Sequence, residues 1–203
     1  VEAGVDAVVV PKSDDPAVIR TVDEALTEME SDALHEPISL IPLIETVQGV
    51  RRADAVVAAS DRVIAASTGI GDLSLDLGAS PNSPAIEQAF VEVVQAARAC
   101  GRTPLGLAGL IVSYQDHEAF RSLAARSKAM GSRGASCIHP SQVSALNEVF
   151  GPSTEDLEQA RRLVAGYEDA ARDGRGSIML DGTFIDNANY QHARHLLIRH
   201  GEQ

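Results

Sequence analysis

Ile38-Ser39-Leu40-Ile41-Pro42-Leu43-Ile44-Glu45-Thr46 decides the fold. It is an apolar run of strand length that stops on a carboxylate, with a threonine next that is able to open a helix. A run this continuously apolar suits a strand buried on both faces, as in a parallel sheet. Working outward, the same arrangement recurs. Upstream, Val5 to Val10 is a short apolar run closed by Pro11-Lys12, and Asp14-Asp15-Pro16 begins a helix with Asp as cap and Pro in its first turn. Val18, Ile19, Val22, Ala25 and Leu26 keep a helical period, which fades near Met29.

Downstream, a helix is expected from about Thr46 through Val57, and Val63 to Ser67 reads as the third strand. Gly69 to Pro84 reads as a loop rich in Gly and Asp, followed by a long helix from Pro84 to Ala99 with Gly101 as its stop. Leu105 to Val112 is the expected fourth strand, Glu118 to Met130 a helix capped by Asp116, and Ala135 to Ile138 a fifth strand ended by His139-Pro140. Ser141 to Phe150 is helical. Strand and helix thus alternate five times, and right-handed crossovers make the sheet parallel. The remainder differs. Ser153, with Asp156 three residues on, caps an amphipathic helix to Asp173; a turn-rich stretch, the segment Ile178 to Phe184 and a last helix from Asn187 to His200 follow. The expected division is residues 1–152 for the βα units and 153–203 for a helical extension.

Composition bounds the function. The 203 residues carry a formal charge of −12, which argues against binding nucleic acid or an anionic membrane by general electrostatics. Aromatics are scarce and Trp is absent, so Ala, Val, Leu and Ile fill the core. Two cysteines, Cys100 and Cys137, give no disulfide framework; buried free thiols in a reducing cytoplasm are expected. No apolar stretch reaches membrane-spanning length.

The second informative phrase is Gly69-Ile70-Gly71-Asp72-Leu73. Like Ile44-Glu45-Thr46, it puts one carboxylate where an apolar run ends. Carboxyl ends of neighbouring parallel strands converge on one mouth, where two acids would repel unless a proton or a cation lay between them. Glu45 and Asp72 therefore read either as a divalent-metal pair or as caps of the helices that follow.

The order of phrases resembles the HpcH/HpaI aldolase and citrate lyase superfamily, in the branch of the citrate lyase beta subunit, malyl-CoA lyase and citramalyl-CoA lyase. The matching phrases are Val10-Pro11-Lys12; Ile44-Glu45-Thr46 with Gly49; Gly71-Asp72-Leu73 with Asp76-Leu77-Gly78; Ile138-His139-Pro140 with Gln142; Asn147 with Phe150; Pro152-Ser153; and Gly182 to Asp186. The resemblance implies an α/β fold, the TIM (β/α)8 barrel, of which the chain carries about the last five βα units plus a C-terminal helical lid extension. It implies Mg²⁺ held by Glu45 and Asp72 and a coenzyme A thioester as substrate. It also implies a homo-oligomer, a trimer or hexamer, in which a lid carboxylate matching Asp186 reaches a neighbouring subunit. Asp186 equally fits the N-cap of the last helix.

Lys12 and His139 are expected to contact substrate or coenzyme A, though a solvated loop lysine and a simple His-Pro turn fit as well. Gly71 would allow a ligand close to the backbone. The family's earlier strands, including one with a substrate-binding Arg, are expected upstream of Val1. The activity implied is reversible carbon–carbon cleavage of a 3-hydroxyacyl-CoA such as malyl-CoA, citramalyl-CoA or citryl-CoA to acetyl-CoA and a 2-keto acid. The alternatives are a CoA-independent class II pyruvate aldolase, a malyl-CoA thioesterase or malate-synthase-like enzyme, and a non-catalytic barrel subunit.

Overall fold

In a computed structural model the chain is described over residues 4–30, 37–110, 115–172 and 174–201. Contacts divide it into two units, Val1–Phe150 and Gly151–Gln203.

The first unit runs β1 (Ala7–Val10), α1 (Pro16–Glu30), β2 (Ser39–Ile44), α2 (Val47–Arg51), α3 (Ala53–Val57), β3 (Ala65–Thr68), α4 (Ile70–Leu77), α5 (Pro84–Ala99), β4 (Thr103–Leu105), α6 (His117–Ala129), a 3₁₀ turn (Pro140–Gln142) and α7 (Val143–Phe150). The four strands form one sheet in the order β1-β2-β3-β4, and every pairing is parallel. β2 pairs with β1 over Ser39 to Pro42 and with β3 at Leu43 and Ile44. Along β2 burial alternates: Leu40, Pro42 and Ile44 are buried, while Ser39, Ile41 and Leu43 are half-buried. The buried set packs on the helices. Ile86, Ala89 and Val93 of α5 recur at helical spacing and join Leu40, Ile44, Val63 and Ala66 in the main core. Burying a side chain the size of Ile contributes roughly 1.5–3 kcal/mol.

At the amino-terminal edge of the sheet Arg62 gathers separate elements. Its Nε lies 2.6 Å from Asp23 Oδ1, a terminal nitrogen 2.7 Å from Glu30 Oε2, and it donates at 3.1 Å to the Ile38 carbonyl. The Ser60 hydroxyl and Arg62 hold Asp23 below its ordinary pKa, and Arg62 does the same for Glu30.

Several expectations change. The expected loop Gly69 to Pro84 contains α4, whose buried Ile70 and Leu73 face the core and whose stop is Gly78 at φ 67°. The expected helix to Val57 breaks at Arg52 into α2 and α3. The fourth strand lies earlier than expected, because Gly106 at φ 117° turns the chain out of extended conformation; the far end of that expectation, residues 111 and 112, lies outside the described residues. Ala135 to Ile138 is irregular rather than a fifth strand. The residues just before it bond to β4 and the residue following β4, through Arg133 N–H to the Pro104 carbonyl (2.9 Å) and Gly106 N–H to the Gly134 carbonyl (2.8 Å). β4 is too short to offer further rungs.

The second unit contains α8 (Thr154–Arg172), an antiparallel hairpin β5 (Ile178–Leu180) and β6 (Thr183–Ile185), and α9 (Asn187–Arg199). Ser153 and Asp156 cap α8 reciprocally: Asp156 N–H donates to Ser153 Oγ and Ser153 N–H to Asp156 Oδ2. Tyr167 and Tyr190 stack with ring centroids 4.7 Å apart, alongside buried Ala160, Ala193 and Leu197.

Candidate functional site

Glu45 is the residue after β2, and only 6% of its surface is exposed. Its Oε1 accepts the Lys12 backbone N–H at 2.8 Å. Lys12 stands at φ 47°, the left-handed region, which turns that N–H toward β2. Ser13 follows, fully buried, with its N–H on the Leu43 carbonyl (3.2 Å) and its hydroxyl on the Val10 carbonyl (2.8 Å). The loop after β1 is thereby sewn to the end of β2.

Asp72 sits in the first turn of α4 and is exposed. Its carboxylate comes within hydrogen-bonding reach of Glu45. Burial pushes the Glu45 carboxyl above its ordinary pKa; the Lys12 N–H opposes this, and the negative charge of Asp72 adds to it. The two acids read from sequence therefore meet at one mouth. They also do what caps do not, since neither carboxylate is the side-chain cap of its helix. That role at α2 belongs to Thr46, whose Oγ1 accepts from Gly49 N–H.

Gly69 was not singled out by the sequence, and it is the glycine that the geometry requires. A methyl group there would stand 2.7 Å from Glu45 Oε2 and 2.8 Å from Glu45 Cβ. The backbone of β3 approaches the carboxylate closely because position 69 has no side chain. Gly71, expected to let a ligand close to the backbone, has open space around it. Its place at the exposed start of α4 leaves room for a ligand rather than for Glu45.

Two residues back from Glu45 on the same face, Leu43 pairs with Ser67. These two, with Val9, Ile41, Leu105 and Leu107, line a cavity of about 290 Å³ on the inner side of the sheet. This mostly apolar cavity is lined by Leu43, two residues before Glu45, and by Ile70, two residues before Asp72.

Of the other expected residues, His139 and Asp186 each cap a helical turn. The Lys12 side chain is exposed; Lys12 bonds to Glu45 through its backbone N–H, and its ammonium acts on Glu45 as a nearby positive charge. His139 is exposed and caps the 3₁₀ turn: its Nδ1 accepts from Ser141 N–H at 3.2 Å, while the Gln142 side chain accepts from His139 N–H at 3.3 Å. Asp186, in the second unit, caps α9, with Oδ1 accepting from Ala188 N–H (2.9 Å) and Asn189 N–H (3.1 Å). Oδ2 takes no part in that cap. Cys137, expected in a strand, is half-buried in the irregular segment, and burial raises its thiol pKa.

Among the described residues no cluster of three or more His, Cys, Asp or Glu could hold a metal, and no helix is long and apolar enough to cross a membrane. Two carboxylates are the number that Mg²⁺ commonly takes from a protein, with water and substrate oxygens completing the shell. The cradle fits such an ion: two hard carboxylates approach each other, one buried beside Gly69 and pinned by a backbone amide, and their mutual repulsion would be relieved by a cation.

A family model described as HpcH/HpaI aldolase/citrate lyase matches residues 1–140. The citrate lyase subunit beta of Haemophilus influenzae is 32% identical over 203 residues, an alignment covering 98% of this chain and 69% of that protein. The (3S)-malyl-CoA thioesterase of Cereibacter sphaeroides is 33% identical over 201 residues, covering 98% and 66%. The chain thus spans about two thirds of the length of these curated relatives. Among solved structures, CitE from Mycobacterium tuberculosis, in complex with magnesium, acetoacetate and coenzyme A, superposes with a TM-score of 0.69 at 29% identity, covering 97% of this chain and 69% of that one. A citrate lyase from Burkholderia xenovorans gives a TM-score of 0.78 at 24% identity, over 98% and 65%, which speaks to the fold alone. The βα units described above are those of the TIM-barrel fold that these structures share.

Proposed function

The chain belongs to the HpcH/HpaI aldolase/citrate lyase family, and from that premise we propose that it is the Mg²⁺-binding part of a carbon–carbon lyase acting on coenzyme A thioesters. The reaction is reversible cleavage of a 3-hydroxyacyl-CoA such as malyl-CoA, citramalyl-CoA or citryl-CoA to acetyl-CoA and a 2-keto acid. The observation that carries this reading is the convergence of Glu45 and Asp72 after β2 and β3, with burial and like charge raising the Glu45 pKa.

Glu45 and Asp72 would hold the ion. When bound, it supplies Lewis-acid polarisation of the keto-acid oxygens. The chain's own residues do the rest. The Lys12 amide fixes Glu45 Oε1, which leaves Oε2 toward Gly69 and the mouth. Gly71 keeps the entrance of α4 clear for the keto acid. The ammonium of Lys12 and the ring of His139 are assigned to the thioester's anionic and polar groups at the rim. The Asp186 carboxylate, through the oxygen its cap does not use, takes a proton from the acetyl methyl carbon in condensation and returns it in cleavage. This last assignment carries the lid and the oligomer with it: Asp186 serves the site of a neighbouring copy, as in the trimer expected from the family.

Hydrolysis of the thioester is the second reading, supported by the activity named for the 33%-identical relative from Cereibacter sphaeroides. One experiment separates the two. Full-length protein with Mg²⁺ and malyl-CoA releases acetyl-CoA and glyoxylate if it is a lyase, and malate with free coenzyme A if it is a thioesterase. Absence of acetyl-CoA from malyl-, citramalyl- and citryl-CoA alike, with turnover of a free 4-hydroxy-2-keto acid, would replace both readings by a CoA-independent aldolase.

A further inference from the structure

We infer that Asp76 is a positioning residue for the Glu45–Asp72 pair, setting the spacing of the two carboxylates by clamping α4 to the chain just beyond Glu45. The inference rests on the Mg²⁺ reading above and adds a residue to it.

Three consecutive residues leave β2, and each is tied to something. Glu45 Oε1 accepts from Lys12 N–H at 2.8 Å, Thr46 Oγ1 donates to Asp14 Oδ1 at 2.5 Å, and Val47 N–H donates to Asp76 Oδ2 at 2.7 Å. The first two ties lead back to the loop after β1. The third leads to α4. Val47 is the first residue of α2, so its N–H has no acceptor within the helix. Thr46 serves Gly49, one turn in, and the Asp76 carboxylate serves Val47.

Asp72 and Asp76 are four residues apart in α4 and therefore stand one above the other on a single face. That face meets the residues leaving β2 twice: Asp72 reaches the Glu45 carboxyl and Asp76 reaches the Val47 amide. The first contact is repulsive between two ionised acids, and the second is an attractive, charge-assisted hydrogen bond. The bond to Val47 therefore holds α4 against the repulsion one turn away. Mg²⁺ tolerates little departure from octahedral geometry at about 2.0–2.1 Å, so a shift of α4 is felt as affinity.

Mn²⁺ binding to the full-length protein, read by its paramagnetic resonance, tests this without any turnover. Asp76→Ala is expected to weaken Mn²⁺ binding about tenfold, the scale of outer-shell losses. Asp76→Asn, whose amide oxygen still accepts from Val47, should recover most of that. Asp116→Ala removes a cap elsewhere, the bond from Ala119 N–H to Asp116 Oδ1. It should lower thermal stability while leaving Mn²⁺ affinity unchanged. Hydrogen exchange at the Val47 amide should quicken in Asp76→Ala alone. An Asp76→Ala protein that binds Mn²⁺ within about twofold of wild type overturns this inference and leaves the metal reading standing. A wild-type protein that binds Mn²⁺ no better than Glu45→Gln overturns both.

Discussion

Two glycines two residues apart, Gly69 and Gly71, should respond to alanine with opposite signs. At Gly69, φ is −95°, so backbone strain plays no part and the effect is steric. The added methyl would fall 2.7 Å from Glu45 Oε2 and 2.8 Å from Glu45 Cβ. The oxygen is the tip of a side chain, but that side chain is 6% exposed and already bonded to Lys12, and the Cβ can move only with β2. Overpacking of this kind costs about 1–3 kcal/mol. For a chain of this size that lowers Tm by about 2 to 12 °C. At Gly71 the methyl meets nothing within 4 Å, and the position lies in the first turn of α4. There alanine removes backbone freedom from the unfolded chain and is expected to stabilise by about 0.5 kcal/mol. Urea unfolding of both variants in chelator, followed by Mn²⁺ titration, reads the two effects separately. Gly69→Ala should lose stability and metal affinity together. Equal stabilities for the two variants would refute the close approach of β3 to Glu45 on which the site's geometry rests.

Metal-free stability should depend on pH through Glu45, whose carboxyl is held above its ordinary 4.5. Its contribution is full below about pH 4.5 and is lost as pH rises through the raised folded value; Glu45→Gln should match wild type in acid and be the more stable at pH 7, and the reverse order would remove the repulsion from the account. Asp23 and Glu30, held low, act oppositely: their contribution is present at neutral pH and lost as pH falls through their depressed values. Arg62→Met should lower Tm by about 5 °C while leaving Mn²⁺ affinity unchanged, because its partners lie at the opposite edge of the sheet; a fall in affinity would show that the two ends are coupled. Asp186→Asn keeps a good N-cap, so Tm should stay within about 2 °C while exchange of the acetyl-CoA methyl protons falls about a hundredfold; unchanged exchange would leave Asp186 a cap and nothing more.

What was legible followed from strong local signals. β1 to β3 are apolar runs with a clear stop, and α5 carries Pro84 at its start and Gly101, at φ 68°, just past its end. α4 was missed because Gly71, Asp72, Ser74 and Asp76 are poor helix formers; the burial of Ile70 and Leu73 overrides that preference, and Gly78 was the readable stop. The fourth and fifth strands failed for a different reason. Strand length there is set by which neighbours offer rungs, and Gly106 ends the ladder in a way that apolar runs do not announce. Glu45 and Asp72 were legible as strand-end acids. Gly69 was not, since nothing in the sequence says which of two glycines touches the carboxylate. Asp76 was visible only as part of a phrase, because its bond to Val47 spans 29 positions.

The tie from position 12 to Glu45 is made by the main chain, and this bears on how the protein tolerates substitution. For its hold on Glu45, position 12 must supply a left-handed turn and an N–H, and the ammonium plays no part in that bond. Asn or Gly satisfies that demand as well as Lys does, while β-branched residues resist it. The aim of the buried carboxylate is thus insulated from drift in the side chain at its rim, and a directed library can vary recognition there while the acid beneath stays where it is.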